Sequence, residues 1–398
     1  MTPKRVHKSV ILFFALPALI LTAATSAFAD CPNGTPPPGA DSLQMLVIGD
    51  SIMWGQGLRE DEKISTRVKC WLQEKTNREV NVHVEAHSGA IVSGSSQTPP
   101  LYVTSDGEVN LTSPTINEEL DHAVSFYKSN QTSPALTLVN GCINDVGVKN
   151  LLAAATPLDD LRAQIRKSCG EDMQRLLLRV RNSFPQTQIV LTNYYPIVSA
   201  QTADNAFLRL LVKKLNNQRP EARNMSDKEV RRRLIAISEE WYRTSTATLA
   251  EAVVKTNLAA ETSPAITFVE VEFGPEHVFA APESLLWNFK YATSNATGFA
   301  KIVVVLSFGT AAYKPNDHVR DARVKSCETT FQKPKGIKES KEQKGQREDL
   351  FLICRYASLG HPNQMGALLY AEAIKGRLLP LIDKAGWKRD TNSHLTQQ

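Results

Sequence analysis

The sequence predicts an α/β fold built on a parallel sheet with helices on both faces. Short apolar segments with strand character alternate with segments of helical period, a pattern typical of parallel sheets. The predicted strands cover 43–48, 80–86, 135–139 and 188–192, and the predicted helices between them cover 61–75, 116–127 and 157–180. Three of the strands end in polar turns that contain glycine, and such turns meet at one edge of a parallel sheet.

The first strand leads directly into a serine. The apolar run over 43–48 stops at Gly49, Asp50 and Ser51, which predicts a buried strand followed by a tight turn. A serine at the carboxyl end of a strand faces the crevice where ligands bind in open α/β sheets. A neighbouring base would make it a nucleophile. The tripeptide alone is also ordinary turn chemistry, so the assignment depends on the groups that the other strand ends supply.

The strand–helix alternation stops after the fourth strand. We interpret 203–262 as a helical insertion, either a lid over a site or a packing layer, and favour the packing layer because nothing in it carries chemistry. Residues 312–349 are charged and poor in apolar side chains, which predicts a solvated loop. An amphipathic helix over 366–385 closes the chain. Residues 30–398 are therefore predicted to form a single domain with two insertions.

The first 29 residues have the pattern of a secretory signal peptide. Basic residues precede an apolar stretch over 10–21, and Ala27-Phe28-Ala29 fits a small-x-small site, so we expect cleavage after Ala29. The leader carries three basic residues and no acid, so its removal lowers the net charge from +5 to +2. Such a charge gives no support for nucleic-acid binding. No later segment approaches the ~18 apolar residues of a membrane span. We predict a secreted or periplasmic protein.

Acyl transfer by a serine requires a base, donors for the oxyanion and a group that orients the base. His361, in the loop before the closing helix, is the candidate base, although a lone loop histidine is more often a surface residue. The candidate oxyanion donors are the backbone amides of Ser51 and Gly89 and the side-chain amide of Asn144. Gly89 allows close approach of backbone to a ligand. A plain turn glycine and a turn-capping asparagine are the simpler interpretations.

Together these residues resemble the sequence blocks of the GDSL or SGNH hydrolases, a family of serine esterases and lipases. The blocks, in order, are Gly49-Asp50-Ser51, Ser88-Gly89-Ala90, Gly141 with Asn144-Asp145, and His361. The resemblance covers 43 to about 200 and 351–385. It implies a three-layer α/β/α, flavodoxin-like fold and ester hydrolysis through an acyl-enzyme, with no metal or organic cofactor. Ser51 would be nucleophile and oxyanion donor, Gly89 and Asn144 the other donors, and His361 the base.

The third block departs from the family pattern by one extra residue between Gly141 and Asn144. The Asn-Asp end of the block is kept, so Asn144 is our choice for the oxyanion donor, with Asn140 as second choice. A disulfide between Cys142 and Cys169, on the next helix, would hold this loop. We state that pairing as a hypothesis.

A second departure concerns the group that orients the base. The family usually has an aspartate three residues before the histidine, and Ser358 occupies that position here. We hypothesise a Ser51–His361 dyad whose imidazole is oriented by a backbone carbonyl or by a distant acid such as Asp317 or Glu276.

All six cysteines follow the predicted leader, and an even number in an oxidising compartment suggests disulfides. Besides the pair above, we hypothesise that Cys327 and Cys354 staple the charged segment. Different pairings and buried free thiols stay open. There is no Cys-x-x-Cys pair and no histidine cluster at metal-ligand spacing, so no metal site is predicted.

The function predicted from the sequence is a secreted serine esterase or lipase that acts on carboxylic esters of small molecules, lipids or glycans. Trp54, Tyr194 and Tyr195 could stack on sugar rings, so a polysaccharide O-acetylesterase is an alternative. A non-catalytic binding protein on the same fold is the other alternative, which the missing aspartate keeps open.

Overall fold

The computed structural model describes residues 31, 42–94, 108–109, 111–204, 220–222, 224–260, 264–291, 313–333, 336 and 338–388. The predicted signal peptide over 1–29 lies outside the described residues, so its prediction stays untested. In the described part of the chain, no helix combines the length and the apolar character that crossing a membrane requires.

A five-stranded sheet in the order β2-β1-β3-β4-β5 forms the centre of the fold, and all neighbouring strands pair in parallel. The strands are β1 Leu43–Ile48, β2 Val80–Val84, β3 Leu136–Val139, β4 Gln188–Thr192 and β5 Thr267–Val269. Every residue of β3 and β4 is buried, as expected when helices cover both faces of a parallel sheet. The predicted α/β fold with a parallel sheet is confirmed, and the strand order is that of flavodoxin-like folds.

Helices cover the sheet in two layers. In chain order they are α1 Ser51–Trp54, α2 Ile64–Thr76, α3 Ile116–Ser129, α4 Ile143–Val146, α5 Val148–Leu151, α6 Leu158–Ile165, α7 Met173–Ser183, α8 Asp227–Ala260, α9 Arg320–Thr330, α10 Lys341–Arg355 and α11 Gln364–Leu378. Helix α2 packs against α11, whereas α8 packs against α6 and α7, and α3 packs against α7. The two groups cover opposite faces, so the three-layer α/β/α prediction is confirmed.

All six cysteines form disulfides. The pairs are Cys31–Cys70, Cys142–Cys169 and Cys327–Cys354. The last two are the pairs hypothesised from the sequence, and both hypotheses are confirmed. Cys169 lies in a π-helical segment, Arg166–Asp172, that joins α6 to α7, so the predicted helix over 157–180 is one continuous helical stretch with a wide turn at its centre.

The described part of the predicted helical insertion is a packing layer. Helix α8 is a single helix of 34 residues, and its buried residues Ile237, Trp241 and Leu249 belong to the main hydrophobic core. The ring of Trp241 lies 5.2 Å from the ring of Tyr194, which follows β4. The helix therefore packs against the carboxyl edge of the sheet. This is the packing layer that the sequence favoured.

The structure corrects the prediction of a solvated loop over 312–349. Its described residues contain α9 and the first part of α10. Ser340 begins α10 with a reciprocal capping box to Gln343. The Cys327–Cys354 disulfide joins the two helices and belongs to a small second core with Val109, Leu111 and Phe331. The low apolar content of this segment wrongly predicted a loop, because the disulfide stabilises helices that are too small to build a large core.

Candidate active site

Strand β1 ends in a tight turn that carries Ser51. Gly49 has a φ of +139°, and a Cβ there would lie 2.2 Å from Oδ1 of Asn140, so this position requires glycine. Asp50 caps α1 by accepting the N–H of Ile52 at 3.0 Å. Helix α1 begins at Ser51, and a first-turn N–H has no acceptor within its own helix. The turn therefore presents both the hydroxyl and the amide of Ser51 at the carboxyl edge of the sheet.

The buried carboxylate of Asp50 joins the ends of three strands beneath Ser51. Oδ1 accepts from Nδ2 of Asn140, directly after β3, at 2.9 Å. Oδ2 accepts from the hydroxyl of Tyr194, which follows β4, at 2.6 Å. Burial raises the pKa of Asp50, and the hydrogen bond from Tyr194 opposes that shift. Asn140, the second choice for an oxyanion donor, thus supports the nucleophile turn from behind.

The structure brings His361 to Ser51 from the far end of the chain. Nε2 of His361 lies 2.7 Å from Oγ of Ser51. His361 ends a tight turn, in which its N–H donates to the carbonyl of Ser358 at 3.0 Å. Gly360, the third residue of that turn, has a φ of +75°, the conformation that a type II turn requires there. The two side chains proposed as nucleophile and base are therefore within hydrogen-bonding distance.

An extended segment at 285–287 holds the His361 loop in place. The N–H of Trp287 donates to the carbonyl of His361 at 2.7 Å, and the N–H of Gly360 donates to the carbonyl of Trp287 at 3.0 Å. One step further, the N–H of Asn363 donates to the carbonyl of Leu285 at 2.8 Å. These bonds form a short antiparallel pairing that holds the backbone of His361 on both sides.

Burial controls the protonation of His361. It lowers the pKa of the imidazole to about 4, and the nearby carbonyls of Ser358 and Leu359 oppose that shift. Nδ1 of His361 has no hydrogen-bond partner among the described residues. Neither carbonyl is therefore hydrogen-bonded to the ring. The imidazole is therefore neutral at pH 7 and able to accept a proton.

Neither acid hypothesised to orient His361 contacts its imidazole. The carboxylate of Asp317 instead binds Arg323 and the hydroxyl of Ser358. Glu276 lies 3.6 Å from its neighbour His277. The backbone carbonyls of Ser358 and Leu359 lie near the imidazole without being hydrogen-bonded to Nδ1, so among the described residues no hypothesised orienting group bonds the ring.

The loops that carry Gly89 and Asn144 contact each other beside the nucleophile turn. Gly89 has a φ of +87°, and Nδ2 of Asn144 donates to the carbonyl of Ala90 at 2.9 Å. The next residue, Asp145, accepts the N–H of Val92 at 2.9 Å. A side-chain amide nitrogen carries two hydrogens, so the bond to Ala90 uses one of the two on Asn144. The structure therefore places both predicted donors at the ends of the strands that flank β1.

The Cys142–Cys169 disulfide anchors the start of the Asn144 loop. Cys142 has a φ of +105°, which is uncommon for residues other than glycine and persists where the surroundings hold it. Its bridge ties the loop to the π-helical segment between α6 and α7. This part of the site is thus held by a covalent bond to the helix layer.

A buried His–Glu pair that the sequence analysis missed lies between the first two strand ends. Glu119 accepts the N–H of Gly49 at 2.8 Å through Oε2, and its Oε1 lies 2.8 Å from Nδ1 of His87. Burial lowers the pKa of His87 to about 4 and raises that of Glu119 well above its usual value. A signal was present in the sequence: Glu119 lies three residues after Ile116, on the apolar face of α3.

The aromatic residues suggested as a sugar platform are placed differently. Tyr194 and Tyr195 are buried, so neither can stack on a sugar ring, and that suggestion is wrong for both. Trp54 is half-buried, with the ammonium of Lys63 3.8 Å from its ring centroid and its Nε1 donating to Glu108 at 3.1 Å. One face of its ring is therefore already occupied.

No family model and no curated protein matches this sequence. Among solved structures, the chain is similar to an extracellular lipase from Streptomyces rimosus (13% identity, TM-score 0.36, 61% of this chain and 87% of that chain). It is also similar to the lipase Lip_vut3 from a goat rumen metagenome (14%, 0.39, 87% and 99%). A family two carbohydrate esterase from Clostridium thermocellum, in complex with cellohexaose, is similar as well (11%, 0.38, 88% and 66%).

The hydrogen bond between Tyr194 and Asp50 can be tested by its effect on stability. Tyr194→Phe is expected to lower the free energy of unfolding by about 1–3 kcal/mol, because the buried carboxylate loses a donor. Urea unfolding at pH 7 measures it. Tyr127→Phe is the matched control, because that buried hydroxyl has no partner among the described residues. Equal losses in the two variants would contradict the stabilising role of the bond.

Proposed function

We propose that this protein is a serine hydrolase that cleaves carboxylic esters through an acyl-enzyme on Ser51. The observation that carries the proposal is the 2.7 Å contact between Oγ of Ser51 and Nε2 of His361. The contact lies at the carboxyl edge of a parallel sheet, where ligands bind in such folds. The blocks shared with the GDSL or SGNH hydrolases support the same chemistry.

His361 is the general base in this proposal. Its neutral Nε2 takes the proton of Ser51 as Oγ attacks the ester carbonyl carbon, and the imidazolium then gives that proton to the departing alcohol. Water hydrolyses the acyl-enzyme in the same way, giving up one proton to His361 and releasing the carboxylic acid as Ser51 recovers its hydrogen. For Nε2 to accept, the ring proton must reside on Nδ1, which faces the carbonyls of Ser358 and Leu359.

Three donors from adjacent loops would stabilise the tetrahedral oxyanion. The amide of Ser51 lies at the start of α1, Gly89 follows β2, and Nδ2 of Asn144 follows β3. Preorganised donors of this kind are among the largest contributions to acyl-transfer catalysis, because they meet charge that develops in the transition state. The bonds from Asn144 and Asp145 to the loop after Gly89 hold two of the three donors in one unit.

We further propose that the protein is exported. The leader over 1–29 has the features of a signal peptide, and all six cysteines are bridged, as is typical of oxidising compartments.

The substrate is to be chosen among simple acyl esters, lipid esters and acetylated polysaccharide. Rates on p-nitrophenyl esters of increasing acyl length, compared with acetylated xylan, distinguish these substrates.

Loss of either member of the dyad is expected to abolish ester hydrolysis. Ser51→Ala and His361→Ala should each lower kcat for p-nitrophenyl acetate by roughly 10⁴-fold or more. A fluorophosphonate probe should label Ser51 in the wild type, as mass spectrometry of its peptide would show. Ser65→Ala, which removes a buried hydroxyl without a partner among the described residues, is the control and should keep wild-type activity. Equal rates for wild type and Ser51→Ala would favour a binding protein on this fold.

The oxyanion role of Asn144 can be tested by comparison with Asn117, an asparagine that makes a similar structural hydrogen bond. Asn144→Ala is expected to lower kcat by about 10²- to 10³-fold, the usual effect of removing one oxyanion donor. Asn117→Ala is the matched control, since Nδ2 of Asn117 donates to the carbonyl of Val92 at 2.6 Å in the same loop. A similar loss of kcat in both variants would assign Asn144 to loop structure alone.

The partly buried position of His361 predicts activity in mildly acidic solution. The base works only when neutral, so kcat/KM falls as pH drops through the pKa of His361. Burial lowers that pKa to about 4, so the acid limb is expected near pH 4, well below the ordinary histidine value of about 6.5. Initial rates on p-nitrophenyl acetate between pH 3.5 and 8, with circular dichroism to confirm folding, measure it. An acid limb between pH 6 and 7 would contradict this.

A further inference from the structure

A fully buried ion pair lies beside the turn that carries His361. Arg323 donates from Nη1 to Oδ1 of Asp317 at 2.8 Å and from Nη2 to Oδ2 at 2.7 Å. Both side chains are inaccessible to solvent. Burying two charges costs several kcal/mol of desolvation, and the mutual attraction often does no more than offset that cost. Stability alone is therefore a weak explanation for this pair.

Hydrogen bonds lead from the ion pair to the proposed base. The hydroxyl of Ser358 donates to Oδ2 of Asp317 at 2.7 Å, and Nη2 of Arg323 donates to the same hydroxyl at 3.1 Å. The carbonyl of Ser358 accepts the N–H of His361 at 3.0 Å. That carbonyl also lies close enough to the imidazole to raise its pKa against the effect of burial. The position of Ser358 thus determines what the Nδ1 side of His361 faces.

The segment that carries this ion pair is closed by a disulfide. Arg323 lies one helical turn before Cys327, and Ser358 lies four residues after Cys354, the partner of that cysteine. The disulfide therefore restrains the distance between Arg323 and Ser358, which are hydrogen-bonded to each other. Gly57, in the loop after α1, packs over the cluster so closely that a Cβ there would lie 2.9 Å from Cβ of Ser358.

We propose that the Arg323–Asp317 pair positions the imidazole of His361 by holding the hydroxyl of Ser358. The inference rests on the proposed function, because it gives a role to groups behind the proposed base. Asp317 and Arg323 act through Ser358 and are therefore positioning residues. In this proposal the charged segment over 312–349 contributes the carboxylate of Asp317. That carboxylate acts on His361 through Ser358, the residue at the position where the family usually has an aspartate.

The charges around this turn make the proposal testable by pH dependence. Asp317 raises and Arg323 lowers the pKa of His361, so the intact pair presents opposing effects to the imidazole. The other titratable groups that the described residues place around the cluster are Glu108, Tyr195, His318 and Glu62. The variants below leave these groups unchanged.

The first test is Ser358→Ala, which cuts the link and leaves the ion pair intact. We expect kcat on p-nitrophenyl acetate to fall by about 10- to 10²-fold with KM unchanged, because a misplacement of about 1 Å has effects of that size. Glu339→Gln is the matched control. It removes a partly buried ion pair with Arg347, 2.7 Å apart, from the same segment, and it should keep the wild-type kcat.

The second test is Asp317→Asn, which removes one of the two carboxylates beside Arg323 and leaves Glu108, 3.5 Å from Nη1. The pKa of His361 then falls, so the acid limb of kcat/KM is expected to move to lower pH. An unchanged limb would contradict the placement of Asp317 near the imidazole, and the kcat of Ser358→Ala separates positioning from this direct effect of charge. If Asp317→Asn fails to fold, Ser358→Ala decides the question.

A wild-type kcat in folded Ser358→Ala would overturn the positioning role. A fall in kcat that the loss of folded protein fully accounts for, measured by urea unfolding, would overturn it as well. These results are distinct from a failure of the proposed function, in which Ser51→Ala itself would keep full activity.

Discussion

The buried carboxylate of Asp50 is the constraint on which the site depends. It lies at the end of β1 and receives hydrogen bonds from residues that follow β3 and β4. A buried charge without partners is too costly to persist, so the three strand ends must converge for the fold to form. That convergence also sets the position of Ser51, because the same aspartate caps the helix that Ser51 begins. The same contacts thus close the sheet edge and place the proposed nucleophile.

The same principle recurs on the other side of β1. Glu119 accepts the N–H of Gly49 and contacts His87, so a second buried acid connects the nucleophile turn to the end of β2. Asn144 and Asp145 hold the loop after Gly89 from the end of β3. Polar groups in a low-dielectric interior are worth most when every partner is satisfied. Such a network holds the proposed oxyanion donors in fixed positions.

The proposed base, His361, comes from a different part of the chain. His361 comes from a loop that pairs with the 285–287 segment and ends at the buried cluster of Asp317, Arg323 and Ser358. The elements that carry these residues lie outside the sheet and are joined by the Cys327–Cys354 disulfide. The proposed nucleophile therefore belongs to the sheet, and the proposed base belongs to the later part of the chain that packs against it. Their contact at 2.7 Å is where the two meet.

Residue patterns alone predicted the features that depend on neighbouring residues in the sequence. Apolar runs of strand length alternating with helical periods predicted the parallel sheet, because both periods follow from backbone geometry. The glycine-containing turns indicated the sheet edge where these strand ends meet, and chain order suggested two of the three disulfides. The same local logic failed for the charged segment over 312–349, where a covalent bond replaces apolar burial.

Tertiary structure decided every feature that depends on contacts between distant parts of the chain. It showed that Asp317 binds Arg323 and Ser358, that Asn140 lies behind the nucleophile turn, and that Tyr194 and Tyr195 belong to the core. Spacing along a sequence carries no information on which buried donor finds which acceptor. That choice is made by desolvation, which forces each buried polar group toward whatever partner the completed fold brings within reach.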